Sequence, residues 1–571
     1  MLSVILNWFY MAVTTFLLGY GILTGLSALT GYSVKWFGSF TMCGLAGAAV
    51  YAQIFSLFAP VGAAAGLLLC AVCLGSAFLC RDRLIKDWRQ RMRDFGELRK
   101  TSERKAWFGV TGFLLLFLLF AYGTSRGILH YDTALYHAQS IRWIEEYGVV
   151  KGLGNLHCRL AYNSSSFALS ALYSMVFLGG QSYHCAAGFL ALTVAALCLE
   201  PVRTVGKRRL RPSDFARVMG IYYLLMIFDE MISPASDYFM VLMAFWLIIR
   251  WMDLLEAEEK EIFPFAMLCV LSAFLLTVKL SAALIVLFTL KPALSLLRER
   301  RWKETGIYLG LGILTVLPYL IRNVILSGWL VYPFTGIDMF RVDWKIPEGI
   351  AAYDAREIQV WGRGYSDVTK YGLPVWEWMP GWFRGLGGTE KIFVLAAVLS
   401  VLVFGLRFVR WAVRKGKAPG EHLFPEAVVS LCFLFWLFSS PLIRYGCVYV
   451  YLTTAVVWGD VCTEFFEESH RTGRKCGRHM EKACMLLISL FLVYKAAAFG
   501  REIVSSYVND YWLCQKDYDN YETESYEIDG VLFYRPVSGD QTGYESFPSS
   551  PATAAVRLRG TDIGAGFCYR E

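Results

Sequence analysis

Ionisable side chains gather in the segment 130–163, HYDTALYHAQSIRWIEEYGVVKGLGNLHCRLAYN, which directly follows a long apolar run. It opens with His130 and Asp132 and continues as a predicted helix through Tyr136 and His137. With Gln139 and Trp143, these are more polar and ionisable side chains at a helix exit than anchoring in the membrane needs. The pattern indicates a functional site. The alternative is an ordinary solvated loop that begins where a helix leaves the membrane.

Four later segments also place charged or hydrogen-bonding side chains near the ends of apolar runs. They are SPASD (233–237), TVKLSAA (277–283), YLIRNVILSGWLVYPF (319–334) and SSPLIRYG (439–446), and they contribute Asp237, Lys279, Arg322, Asn323, Arg444 and Tyr445. A charge at membrane depth is costly unless it is paired or hydrated, so such residues indicate a site. Snorkelling to the interface is the alternative for Lys279 and Arg322. Convergence of acids and cations on one compartment at similar depth favours a shared site.

The elements that position these residues are predicted to be membrane helices. Of 571 residues, 56% are hydrophobic and only 18% are charged, against about 25% in ordinary globular domains. The apolar residues form runs of about 20, the length that crosses roughly 30 Å of hydrocarbon, and lipid forces their backbone amides into helices. The sequence therefore predicts an all-α polytopic membrane protein. About fourteen spans are expected, near 5–28, 38–59, 61–80, 107–124, 184–200, 218–232, 238–253, 263–278, 280–297, 305–325, 391–410, 424–440, 446–460 and 484–500.

Basic residues between the apolar runs predict the orientation of the chain. The densely basic loops are 81–105, 203–217, 298–303, 407–417 and 471–482, and the positive-inside rule assigns them to the cytoplasm. This use of the charge argues against nucleic acid as a partner despite a net charge of +8. All five loops fall on one side only if 166–180 does not span. That segment is expected to be an amphipathic helix lying at the outer surface.

Three regions follow from this layout: N-terminal helices with a basic cytoplasmic loop (1–106), a core (107–500) with outer loops 125–183 and 327–390, and an extracytoplasmic C-terminal cap (501–571). The aromatic residues of the second outer loop suit an interfacial belt or, alternatively, the wall of a lipid-substrate groove. Cys514 and Cys568 lie in the cap, where the sequence leaves a disulfide between them open. No zinc-ligand spacing is present in the sequence.

The order of these residues resembles the GT-C superfamily of polytopic glycosyltransferases over about residues 107–500. Asp132 after a membrane helix, the helix LYHAQSIRWIEEYG, then Arg159 and AYNSSSF follow the order of its first outer loop. The later patterns "RN…G…YP" and "P..RYG" are also similar, and they comprise Arg322, Asn323, Gly328, Tyr332, Pro333, Pro441, Arg444, Tyr445 and Gly446. More closely, the chain resembles uncharacterised bacterial members with extra N-terminal helices and a small C-terminal outer domain. Many members carry two neighbouring acids, whereas Thr133 follows Asp132 here, so the use of a divalent metal stays open.

The resemblance implies a GT-C-like helical bundle that transfers a sugar from a polyprenyl-phosphate donor to a lipid, glycan or protein acceptor. Asp132 is the expected base, with Asp237 as second choice, and His130 or His137 bridges base and acceptor. Arg159, Lys279, Arg322 or Arg444 would stabilise the leaving phosphate. The expected location is a bacterial inner membrane, with the site facing the periplasm or exterior.

Other classes of protein also fit the sequence. A transporter or flippase of lipid-linked glycans shares the membrane helices and intramembrane charges, although its inverted repeats and broken helices are not evident in the sequence. A non-catalytic scaffold for envelope assembly would tolerate the loss of Asp132. A polymerase or ligase of lipid-linked glycans is a neighbouring interpretation within the same chemistry.

Overall fold

A computed structural model describes residues 1–32, 34, 38–101, 103–200, 209–414, 421–473 and 475–570. The predicted basic loops 203–217 and 407–417 therefore lie partly outside the described residues. The first five helices are α1 (Leu2–Thr30), α2 (Gly38–Ser56), α3 (Ala63–Leu79), α4 (Arg81–Thr101) and α5 (Glu103–Arg126). The basic segment predicted as the loop 81–105 is thus mostly helical. One face of α4 packs against the bundle, where the Tyr20 hydroxyl donates to Asp87 over 2.8 Å.

Helices α1 and α2 pack at very short range because glycines face each other at their contact. A Cβ on Gly44 would lie 1.7 Å from the Thr15 carbonyl oxygen, and one on Gly19 would lie 1.9 Å from the Phe40 carbonyl oxygen. Small residues of this kind let helix backbones approach in membrane proteins, where van der Waals packing is a main source of helix association. Helices α1 and α2 therefore form one closely packed side of the bundle.

Short helical segments fill the first long connection, between α5 and α9. They are a π-helical turn (Thr133–His137), α6 (Ala138–Glu146), α7 (Leu153–Leu156), a 3-10 turn (Cys158–Ala161), α8 (Ser165–Tyr173) and a 3-10 turn (Val176–Leu178). The predicted surface helix at 166–180 is wrong in its environment over α8, because every residue of α8 is buried, whereas Phe177 and Leu178 near the end of the predicted segment are exposed. Its serines and alanines are small enough for neighbours to pack on all sides. At about 1.5 Å per residue α8 is too short to span a bilayer.

The remaining helices build the centre and the far side of the bundle. They are α9 (Ala186–Leu199), α10 (Pro212–Met226), a 3-10 turn (Phe228–Glu230), α11 (Ser236–Glu256), α12 (Ile262–Val278), a 3-10 segment (Leu280–Thr289), α13 (Leu290–Arg298), α14 (Trp302–Ser327), α15 (Glu348–Gly362), a 3-10 turn (Val368–Gly372), α16 (Val375–Gly385), α17 (Gly388–Val413), α18 (Leu423–Ser439), α19 (Ile443–Arg471) and α20 (Lys475–Ser505). Helix α11 is buried along almost its whole length and lies at the centre of the bundle.

Eight of the described helices are long and apolar enough to cross a bilayer, and a ninth span results if α3 and α4, bent by 77°, count as one. Each of the fourteen predicted spans overlaps a helix of the structure. Large apolar side chains on the outer faces of α14, α17 and α20 are exposed, which is the pattern that lipid contact produces. The chain is an all-α integral membrane protein.

The C-terminal tail carries two small antiparallel sheets, β1 (Thr523–Ile528) with β2 (Val531–Pro536), and β3 (Val556–Leu558) with β4 (Phe567–Tyr569), and a 3-10 turn (Ile563–Ala565). The strand predicted from VLFYRPV is β2. Residues Asp529 and Gly530 both have positive φ, as a two-residue hairpin turn requires. Cys514 and Cys568 are both free thiols, so the structure does not contain the disulfide that the sequence left open.

The three predicted regions contact one another. The Leu2 amide donates to the Trp512 carbonyl over 2.9 Å, and the Trp8 indole donates to the Cys185 carbonyl over 2.8 Å. The tail lies on α6, where the Gln139 amide donates to the Gly543 carbonyl over 2.9 Å. The boundaries near 106 and 500 remain predictions.

Candidate active site at the loop end of the bundle

One end of the bundle, here called the loop end, collects the termini of four helices. Helix α5 ends there at Arg126, α12 ends at Val278, and α11 and α19 begin there at Ser236 and Ile443. Asp237 is in the first turn of α11, Lys279 directly follows α12, and Arg444 is in the first turn of α19. Residues that are far apart in the sequence therefore meet because their helices enter or leave the bundle at the same level.

Asp132 and Arg444 form the first ion pair of the site. The Arg444 Nη2 donates to Asp132 Oδ2 over 2.7 Å, and its Nη1 contacts the His130 ring. The Asp132 and Arg444 side chains remain 15% and 30% exposed, so the pair is open to a ligand from the surface. Burial, and then the positive charge of Arg444, lower the pKa of His130. The lowered pKa favours the neutral form of the His130 imidazole, which lies beside the Asp132 carboxylate.

Asp237 and Lys279 form a second ion pair close to the first. The Lys279 ammonium donates to the Asp237 carboxylate and lies 4.1 Å from the centroid of the Tyr445 ring. The Arg444 guanidinium lies 5.2 Å from the same ring, so Tyr445 stands between the two cations. Lys279 reaches this position because its extended backbone breaks α12 from the 3-10 segment that follows. Two acids and two cations thus share one small region.

His137 and Tyr136 form the buried inner wall of this region. The two rings lie 4.3 Å apart, and His137 lies 6.4 Å from His130, measured between centroids. The His137 Nδ1 is 3.4 Å from the Thr133 hydroxyl, which itself lies 2.9 Å from the Ser233 hydroxyl. Burial keeps the pKa of His137 well below its ordinary value. Thr133, Tyr136 and His137 belong to a π-helical turn, a geometry that is frequent at functional sites.

Arg159 lies at the edge of the same region. It is close enough to Asp132 for the two charges to interact, and its guanidinium is 5.8 Å from the centroid of the Trp361 ring. Nine of the eleven residues singled out in the sequence are therefore brought together: Asp132, Asp237, His137, His130, Tyr136, Arg159, Lys279, Arg444 and Tyr445.

Arg322 and Asn323 lie apart from this cluster, within the protein below α6. The Arg322 Nε donates to Asn163 Oδ1 over 3.0 Å and its Nη1 donates to the Ser56 hydroxyl. The Asn323 side-chain amide donates to the Leu330 carbonyl over 3.0 Å. Asn323 therefore supports the local turn that follows α14 rather than the cluster.

Asp354 was not singled out in the sequence, yet it is a buried polar centre beside the site. It accepts hydrogen bonds from the Tyr162 and Tyr332 hydroxyls over 2.6 and 2.8 Å. Burial raises the pKa of Asp354 above its ordinary value. The "YP" pattern points to Tyr332, but no signal in the sequence indicates that its partner lies in α15.

The described donors do not form a metal site. Among the residues that the structure describes, no three His, Cys, Asp or Glu side chains group so as to hold a metal ion. Asp132 and Asp237 are each already paired with a cation, so neither carboxylate is arranged as a ligand. The divalent metal that the sequence left open does not fit these residues.

Comparisons with known proteins identify a family but no activity. No curated protein matches the chain, and no solved structure matches it. A family model described as a domain of unknown function (DUF8201) matches residues 1–451, which include the N-terminal helices and every residue of the cluster. Because the match covers well over half of the 571 residues, the chain belongs to the DUF8201 family.

Proposed function

We propose that this protein is a GT-C-type glycosyltransferase, which transfers a sugar from a polyprenyl-phosphate donor to an acceptor hydroxyl at the outer face of the membrane. The observation that carries the proposal is the pair of ion pairs, Asp132–Arg444 and Asp237–Lys279, side by side at one end of a membrane bundle. Group transfer from a phosphate needs both a base and cations, and this cluster offers both. The lipid, glycan or protein nature of the acceptor stays open.

The ion pairs have a direct use in such a reaction. In the free protein Arg444 and Lys279 neutralise the two acids. A donor phosphate entering the cluster competes for those cations, because guanidinium and ammonium groups bind phosphate oxygens strongly. As they turn to the phosphate, Asp132 loses its counter-charge and becomes a stronger base. Substrate binding thus activates the base, with Arg159 at the edge as a further cation for the phosphate.

The proposed chemical step is a direct displacement. The acceptor oxygen attacks the anomeric carbon, and the bond from that carbon to the phosphate oxygen breaks. The acceptor proton passes to Asp132, directly or through His130 beside it, and the electron pair leaves on the polyprenyl phosphate. Arg444 and Lys279 stabilise the growing phosphate charge. Asp237 is the second choice for the base, and His137 orients the π-helical turn from behind.

A lipid-linked donor is supported by an apolar cavity of about 410 Å³ between α1, α2, α11, α12 and α14. Its lining follows α2 from Ser39 to Ile54, which is about 22 Å along a helix axis. Apolar side chains such as Leu271, Phe274 and Leu314 dominate the wall. The cavity has the length and character to hold a hydrocarbon chain within the membrane.

The proposal includes the orientation of the chain. We infer fourteen spans: the eight long helices, the bent α3–α4 pair, the shorter apolar helices α5, α9, α12 and α18, and α10. With the basic segments in the cytoplasm, the loop end then faces the periplasm or exterior of a bacterial inner membrane. The tail 501–571 becomes an extracytoplasmic cap over α6.

The test compares purified wild type with Asp132→Asn and with a matched control, Asp229→Asn. Asp229 is also paired with an arginine at the loop end, to Arg126 over 2.8 Å, but lies outside the cluster. Each protein is incubated with radiolabelled polyprenyl-phosphate sugars and an extract of membrane lipids and glycans. We expect transfer by wild type and by the control, and a loss of about 100-fold or more in Asp132→Asn.

Two results would count against the proposal in different ways. Equal transfer by Asp132→Asn would keep the reaction and move the base to Asp237. No transfer by wild type from any donor, with the protein folded, would reject a glycosyltransferase and favour transport or scaffolding.

A further inference from the structure

Arg322 is a buried cation that has no counter-ion among the residues that the structure describes. Its side chain is 2% exposed, and its hydrogen-bond partners, Asn163 and Ser56, are both neutral. Among the described residues no carboxylate lies within ion-pair distance of its guanidinium, whereas buried Arg126 and Arg217 each have one. An uncompensated charge in a protein interior is strongly destabilising, so another negative group is expected near Arg322.

A small cavity beside Arg322 is lined by two residues whose side-chain donors have no partner among the described residues. The cavity admits a single water-sized sphere and is lined by Arg322, Asn163, Ser140 and Trp143 among others. The Ser140 hydroxyl and the Trp143 indole N–H are both buried, and neither finds a partner in the structure. Buried polar groups are almost always hydrogen-bonded, so two such donors on one cavity indicate an occupant that accepts hydrogen bonds.

We propose that this cavity is a binding site for a small monovalent anion of the halide class. The guanidinium supplies the charge, and Ser140 and Trp143 supply two neutral donors. The wall is completed by apolar groups such as Phe167 and Leu326, which suit a weakly hydrated halide rather than a phosphate. A neutral water satisfies the two donors but leaves the arginine charge uncompensated.

The site is separate from the candidate active site and does not depend on its reaction. The anion binds the first long connection, through Ser140 and Trp143 of α6 and Asn163, to α14. It therefore holds together the elements that support the π-helical turn. Its role is to neutralise and fix this junction.

The test measures thermal unfolding of the full chain in detergent, in sodium chloride and in sodium gluconate at equal ionic strength. We expect chloride and bromide to raise the Tm of wild type in a saturable way, and gluconate to leave it unchanged. Arg322→Gln should remove this dependence. Ser140→Ala, which removes one donor, should raise the half-saturating chloride concentration about tenfold. Arg126→Gln, a buried arginine that has a carboxylate partner, is the control and should keep the chloride dependence.

A structural measurement keeps the proposal testable if Arg322→Gln does not fold. Crystals grown in bromide should show an anomalous peak in the cavity between Arg322 and Trp143. Identical melting of wild type in chloride and gluconate, or a bromide-grown crystal with water alone in the cavity, would overturn the proposal.

Discussion

Glu145 couples the attachment of the tail to pH. It lies buried in α6, where its two oxygens accept hydrogen bonds from the Ser182 hydroxyl over 2.7 Å and from the Tyr544 hydroxyl over 2.6 Å. Burial raises the pKa of Glu145 from 4.5 to about 7. When the tail detaches, water reaches the carboxyl group and its pKa returns towards 4.5. Between pH 4.5 and 7 the attached state therefore holds a proton that the detached state has released.

The direction of the effect follows from that difference. Below pH 4.5 both states are protonated and the attachment is at full strength. As the pH rises from 4.5 to 7 the detached state ionises first, so the attachment weakens by about 1.4 kcal/mol per pH unit, or about 3 kcal/mol in total. Above pH 7 the contribution of Glu145 is constant. His184 has the opposite effect on the attachment, because burial lowers its pKa to about 4. The pH dependence of wild type alone therefore does not separate the contribution of Glu145 from that of His184.

The measurement is therefore a comparison of wild type with Glu145→Gln. Hydrogen exchange of amides 540–550, corrected for intrinsic rates, reports the free energy of tail detachment between pH 4.5 and 8. The difference between wild type and variant should change by about 3 kcal/mol across the range and then level off. Glu146→Gln is the control, since Glu146 is partly exposed and paired with Arg142. A wild-type-minus-variant difference that does not vary with pH would refute the assignment of the proton to Glu145.

Two further predictions concern the bundle. Asp237→Asn leaves Lys279 without its counter-charge and should lower the free energy of unfolding by about 3 kcal/mol. The double variant Asp237→Asn with Lys279→Met should recover part of that loss. If denaturant unfolding shows that the losses of the two single variants simply add in the double variant, the two residues are not a coupled pair. Gly44→Leu should separate α1 from α2, because its Cβ would meet the Thr15 carbonyl oxygen at 1.7 Å, and should lower the Tm by several degrees. Gly75→Leu in α3, where a Cβ meets nothing within 4 Å, is the control.

The helices were predictable from the sequence because the bilayer imposes a length and a polarity on each one. All fourteen predicted spans overlap helices, and the strand at β2 was found from its alternating pattern. The environment of α8 was not predictable. An apolar segment with several serines suits a surface helix and a buried helix equally, and only the neighbours that close around it decide between them.

The cluster could be predicted in its members but not in its pairing. Acids and cations at helix ends on one side indicate a common site, and nine of the predicted residues lie in the cluster. The sequence does not say that Arg444 pairs with Asp132, 312 residues away. The role of Asp354 could not be predicted for the same reason, since its two tyrosine partners come from other segments of the chain.

The buried arginines show that residue type and membrane depth do not fix a role. Arg126 and Arg217 are structural, because each is neutralised by an aspartate within 2.8 Å or less. Arg444 has a similar partner, yet its pair is open to the surface and beside a second pair, which is the basis for the phosphate-binding role that we propose for it. Arg322 is as deeply buried as the structural arginines and has no acid within ion-pair distance among the residues that the structure describes. Its charge is therefore the basis for the anion site that we propose in the cavity beside it.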